Sequence, residues 1–248
     1  MTFSATYFGS SGWLLEFENI HIFVDPWLKG PLTFSPGAWL FEGNLVKSIP
    51  MPEEIDLLLL TQGLPDHCHP ETLEGLDHSI PVIGPKSAIN VVKHIGFHHL
   101  TRIEPGQSID FNGLTIQATQ GAPVPNFENG YILRHKMGSL YLEPHGFLDK
   151  NITETQLDAL ITPIMNVSLP IAGNFIKGRS VLPKLVEKFT PLTILSSTTG
   201  GSAIFSGLIS KLINSSGSIN DFNKGVIKTS RLIESIEGNR YELESRNK

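Results

Sequence analysis

The sequence predicts a mixed α/β fold, on three observations. The first half is dense in short apolar runs parted by turn residues, and the second alternates such runs with helical patterns. Between them an unbroken apolar run, Leu57–Leu60, stops at a polar turn. A run of this kind suits a strand buried on both faces, although periodicity alone leaves a buried helix segment open. Buried strands that end at polar turns are where α/β proteins place their chemistry. The turn after Leu60 carries Asp66, His67 and His69 within four residues.

The elements follow in order. Residues 4–8, 13–17 and 20–24 read as three strands, parted by Gly9-Ser-Ser-Gly12 and Glu18-Asn19. The third runs into Asp25-Pro26-Trp27, where Asp25 reads as a turn carboxylate before proline or as a site residue. Residues 28–54 form a long connection containing Phe34, Trp39, Leu40 and Phe41, groups that need burial. It reads as an ordered lid beside a site, or equally as a core-packing insertion. Residues 70–76 have helix-start character, residues 81–84 read as a strand, and residues 86–94 as a helix with Ile89 and Val92 turned inward. Asn112-Gly113 between two alternating runs is the strongest hairpin signal in the chain. Strands are predicted at 130–134, 139–143, 157–164 and 192–196. A helix is predicted at 179–189, with Pro183 in its first turn, and an amphipathic helix at 205–213. From Ser215 the chain is polar, so residues 214–248 read as a loosely attached tail or packing arm behind a main domain of residues 1–213.

Composition narrows the function. A chain of 248 residues holds one large domain or two small ones. Its net charge of −5 offers no electrostatic footprint for nucleic acid. The lone cysteine, Cys68, allows neither an intrachain disulfide nor a zinc ribbon. No apolar run approaches the ~18 residues of a membrane span, and the first residues lack the basic region of a signal peptide. The expectation is a soluble, cytoplasmic protein with a small-molecule ligand.

The stretch from Asp56 to His69 resembles the signature of the metallo-β-lactamase superfamily, in which a buried strand runs into Thr-His-x-His-x-Asp-His. There the two early histidines bind a first metal and the Asp-His pair a second. Thr61, Asp66 and His67 match; Gln62 and Leu64 stand where the early histidines would be. Ile22-Phe-Val-Asp25-Pro26 resembles the Ile-x-x-Asp-Pro of many members, the ascorbate-6-phosphate lactonase-like branch included. Asp158 to Ile164 is similar to the family's Asp-x-x-x-x-Pro-Ile element. The resemblance covers roughly residues 2–201 and implies a four-layer αββα sandwich. It also implies altered ligands elsewhere: Ala122 takes the place of a middle histidine, Pro144 that of a bridging aspartate, and no histidine follows His145.

Two functions from different classes follow. One is a metal-dependent hydrolase with a reorganised, single-metal site, cleaving a small ester, lactone or phosphorylated metabolite. Asp66, His67 and His145 would hold one divalent ion, Zn²⁺ or Fe²⁺, with His69 and Glu143 as ligand or general base. The other is a catalytically inactive sandwich that binds a ligand or partner, the same groups bonding one another with no metal. Cys68 reads as a thiolate activated between two histidines or as a small buried hydrophobe. His98-His99 reads as polar residues at a helix end. Ser196, Ser197 and Thr198 are candidate nucleophiles by analogy, and Gly200-Gly201 a candidate anion cradle.

Overall fold

The computed structural model describes residues 2–123, 127–153, 156–170, 173–198, 201–222, 227 and 229–247. In chain order the elements are β1 (Phe3–Gly9), β2 (Gly12–Phe17), β3 (Ile20–Val24), β4 (Leu32–Thr33), β5 (Glu42–Asn44), β6 (Leu57–Leu59), α1 (Pro70–Leu73), β7 (Val82–Gly84), α2 (Lys86–Ile95), β8 (Leu100–Arg102), β9 (Ser108–Phe111) and β10 (Leu114–Pro123). There follow β11 (Phe127–His135), β12 (Gly138–Leu142), β13 (Ala159–Thr162), β14 (Asn166–Leu169), β15 (Gly173–Lys177), α3 (Gly178–Phe189), β16 (Thr193–Ser196), β17 (Ile204–Ser206), β18 (Asn214–Ser216), β19 (Arg231–Ile233) and β20 (Arg240–Glu242).

Two seven-stranded sheets carry the core, in the orders β20-β1-β2-β3-β6-β7-β8 and β19-β16-β13-β12-β11-β10-β9. Period-2 alternation explains their packing. Phe3, Ala5 and Tyr7 of β1 and Trp13, Leu15 and Phe17 of β2 meet Leu114, Ile116, Ala118, Tyr131 and Leu133 of the other sheet in one buried cluster. The outer face of the first sheet packs Phe23, Leu58 and Val82 against Leu73, Ala88 and Val92 of α1 and α2. The outer face of the second packs Ile132, Tyr141 and Leu160 against Leu182, Leu185 and Phe189 of α3. The result is the four-layer αββα sandwich. The run at 57–60 is a strand segment buried on both faces, Leu57 and Leu59 facing the inter-sheet core and Leu58 and Leu60 the helices.

The hairpin at Asn112-Gly113 joins β9 to β10, both turn residues having positive φ (53° and 85°), as a primed two-residue turn requires. Three expectations give way. Residues 205–213 are not one helix: β17 pairs with β5, Gly207 takes a φ of 94°, and only a short 3-10 turn, Ile209–Leu212, follows. The helical spacing of Phe205, Leu208 and Leu212 loses to a long-range strand pairing. Pro183 lies inside α3, which starts at Gly178, and not in the first turn. The segment from residue 214 is not the loose tail of the first reading but an arm that packs, as in the second: β19 pairs parallel with β16 and β20 antiparallel with β1, closing one edge of each large sheet. Residues 28–54 are ordered, with β4 and β5 forming a three-stranded sheet with β17; we call this sheet the flap.

Each large sheet is part antiparallel and part parallel. In the first, β3, β6, β7 and β8 run parallel; in the second, β12, β13, β16 and β19 do. The carboxyl ends of β3, β6 and β12 carry Asp25, Thr61 and Glu143. Ligand sites of open α/β sheets lie outside such ends.

Candidate metal centre

Asp25, Thr61, His67, Glu128, Glu143 and His145 form one buried polar cluster. Asp25 takes a φ of 40°, turning the chain sharply after β3. Its Oδ1 accepts the Thr61 backbone N–H at 2.8 Å, and its Oδ2 accepts the Thr61 hydroxyl and His67 Nδ1–H, the latter at 2.7 Å. The turn that delivers Asp66 and His67 depends on Gly63, where a Cβ would come within 2.6 Å of the Ser87 backbone at the start of α2. His67 Nε2 lies 3.3 Å from Asp66 Oδ2 without a hydrogen bond, and Asp66 Oδ1 is also buried and unpartnered.

The second sheet supplies the other wall. Both oxygens of Glu128, on β11, face His145 Nδ1, at 3.0 and 2.9 Å. The His67 and His145 ring centroids are 5.3 Å apart. Glu143 accepts the Phe147 N–H at Oε2, while its Oε1 is buried without a partner. Gly130 makes room for it: a Cβ there would lie 2.7 Å from Thr119 Oγ1 and 3.2 Å from Glu143 Cγ. One donor atom from each of His67, Glu128 and His145 lies within 4.8 Å of the other two.

The electrostatics follow from burial and pairing. Burial opposes charge on His67, but Asp66 and Asp25 outweigh it and raise its pKa well above the ordinary value. Burial would raise Asp66 too, yet His67 beside it holds the carboxyl below its usual range; the Asp66 side chain is 26% exposed, the wettest part of the cluster. For Asp25 burial wins and the pKa rises. The two glutamates split: Glu143 is pushed well up by burial and by the charge of Glu128, while Glu128, despite its burial, is pulled down by His145. Of the pair, Glu143 is the carboxyl that binds a proton more readily.

Of the residues singled out in the sequence, Asp66, His67, Glu143 and His145 come together here. His69 does not join them. Helix α1 starts directly at Pro70, so His69 becomes its N-cap, Nδ1 accepting the Thr72 N–H at 3.3 Å while Nε2 faces the Pro31 carbonyl at 3.2 Å. Burial lowers its pKa. Cys68 is buried, donates to the Gln62 carbonyl, and burial pushes its thiol well up, leaving no activated thiolate. Gln62 is buried and reaches Glu128 through Nε2 at 3.4 Å. Ser196 and Ser197 hold Ser235 and Trp13, and the Thr198 hydroxyl holds the Pro144 carbonyl. Gly200 lies outside the described residues.

Glu128 was the residue missed. The predicted strand begins at Gly130, whereas β11 begins at Phe127; the alternation of Ile132 continued back through Gly130 puts Glu128 on the same sheet face as Tyr141.

A family profile described as a beta-lactamase superfamily domain matches residues 4–197. The chain belongs to the beta-lactamase superfamily. Among solved members of this fold, a possible metal-dependent hydrolase from Veillonella parvula is 16% identical with a TM-score of 0.71, over 98% of this chain and 100% of that one. The isothiocyanate hydrolase from Delia radicum gut bacteria is 15% identical with a TM-score of 0.74, over 97% and 99%. The metallo-beta-lactamase fold protein YhfI from Bacillus subtilis is 15% identical with a TM-score of 0.63, over 98% and 100%. At these identities the superfamily fold is what is shared. No curated protein matches the chain.

Proposed function

We propose that this superfamily member is a hydrolase built on one divalent ion, held by His67, Glu128 and His145 with Asp66 as a further donor. Its substrate would be a small ester, lactone or phosphorylated metabolite. The reading rests on the convergence of those three buried donors beside unpartnered atoms of Asp66 and His67. Two imidazoles with carboxylates suit Zn²⁺ or Fe²⁺. Two ions do not fit, because Gln62 offers only an amide and Leu64 nothing where a first metal would need imidazoles. Neighbours of the fold named as metal-dependent hydrolase and isothiocyanate hydrolase support the reaction class, while substrate choice belongs to the site and not to the fold.

The chain's own groups divide the work. Asp25 occupies His67 Nδ1 and leaves Nε2, beside Asp66, as the free donor. A divalent ion held there would supply a water of near-neutral pKa and polarise the bond attacked. Glu143 would serve as the general acid, its buried Oε1 passing a proton to a leaving group, a role that its raised pKa suits. His69 serves by position, tying α1 to Pro31 of the flap.

The inactive, ligand-binding sandwich is favoured by one observation: the donors already pair among themselves, His67 with Asp25 and His145 with Glu128. Metal analysis of protein purified without chelator separates the readings. One equivalent per chain is expected, lost in Glu128→Ala and His145→Ala. Two tight equivalents, or none after soaking in zinc or ferrous ion, would overturn the single-ion hydrolase.

A further inference from the structure

Among the described residues, seven large hydrophobic side chains stand exposed, and six of them occupy one place. Trp39 (65%), Val46 (58%), Ile204 (63%), Phe205 (46%), Leu208 (56%) and Leu212 (47%) all belong to the flap and its flanks. The two segments that carry them are zipped together. Ile204, Phe205 and Ser206 pair with Asn44, Gly43 and Glu42, and the Leu208 and Ile209 N–H groups bond to the Trp39 and Leu40 carbonyls. Phe205 stacks on Phe41 at 5.4 Å. These side chains therefore share one small sheet and its flanks, with Ile204 and Phe205 on opposite faces of β17. The outer strand, β17, is paired on one side only.

We infer that this surface is the interface of a twofold homodimer, in which the flap of one copy packs on that of another. Three properties select a second copy. Summed over both faces of the sheet and its flanks, six side chains about half exposed present at most roughly 500 Å² of apolar area, the order of the apolar share of a standard interface of about 800 Å² per partner. Charge is of mixed sign and unclustered: residues 39–47 hold Glu42 and Lys47, and residues 204–212 hold Lys211. Anionic membrane would call for a cluster of Lys and Arg, and a charged protein partner for a complementary field. Finally, Ile204-Phe205-Ser206 has none of the lysines or prolines that block edge pairing, and an apolar edge is complementary to itself about a twofold axis. The inference is independent of the metal centre.

Sedimentation velocity on the full chain from about 1 to 100 μM tests it. A species of twice the 27.3 kDa chain mass is expected, with Phe205→Glu and the double variant Ile204→Glu/Leu208→Glu weakening self-association at least tenfold while circular dichroism stays unchanged. Should those fail to fold, Trp39→Ser/Leu212→Ser must weaken it in the same direction. A chain still monomeric at 100 μM overturns the inference. So does a dimer that the variants leave intact, or a monomer that instead binds neutral phosphatidylcholine vesicles.

Discussion

The metal centre and the flap break the ordinary rule of burial in opposite directions. In the first, Asp25, His67, Glu128, Glu143 and His145 lie out of water; in the second, six large apolar side chains lie in it. The first is held from all sides. Its groups stand at or just beyond the ends of strands paired within two seven-stranded sheets, each carboxylate faces an imidazole or a backbone N–H, and glycines 63 and 130 let the walls approach. The flap has only two- and three-residue strands and one stacked aromatic pair across them. Buried charge demands exact partners because a lone ion in a protein interior costs several kcal/mol; exposed apolar surface costs little until a partner removes it from water.

The largest expected effect follows from that demand. Asp25→Ala removes the carboxylate partner of buried His67 Nδ1 and leaves the Thr61 N–H unpaired. A loss of about 3–5 kcal/mol is expected, read as a fall in Tm of about 10 °C or more. A loss under about 1 kcal/mol would show that Asp66 holds His67 alone and that the cluster is no tighter than the flap.

A smaller, pH-dependent effect is expected at Glu143 in metal-free protein. Its folded pKa lies above the unfolded value, so the native state binds the extra proton. The stability this gives is fully present below about pH 4.5 and is lost as pH rises towards the folded pKa. Glu143→Gln has no proton to lose. Its Tm relative to the parent should therefore climb between pH 5 and 8, and a difference independent of pH would remove the proton from Glu143. The charges facing this group are Glu128 and, beyond it, His145 and His67; carrying the substitution in a His67→Gln background separates their contribution.

The smallest effect belongs to the flap. Trp39→Ser, measured at submicromolar concentration, should change stability by no more than about 0.5 kcal/mol. A larger loss would mean that the exposed apolar surface already packs within the single chain, and the contrast between the two regions would fail.

The sequence by itself determined what depends on neighbours along the chain. Alternation marked β1 to β3, Asn112-Gly113 marked the hairpin, and one contiguous turn carried Thr61, Asp66 and His67, because strand period, turn conformation and a short motif are local properties. The tertiary structure alone decided what depends on distant partners. Glu128 joins His145 across 17 residues and two strands. His69 left the site because capping α1 turned its ring towards Pro31. The apolar spacing of residues 205–213 gave way to pairing with β5, and the polar last segment found the open edges of both sheets. An unpaired strand edge accepts any backbone that reaches it, so such choices are made by hydrogen bonds between remote segments and leave little trace in side-chain pattern.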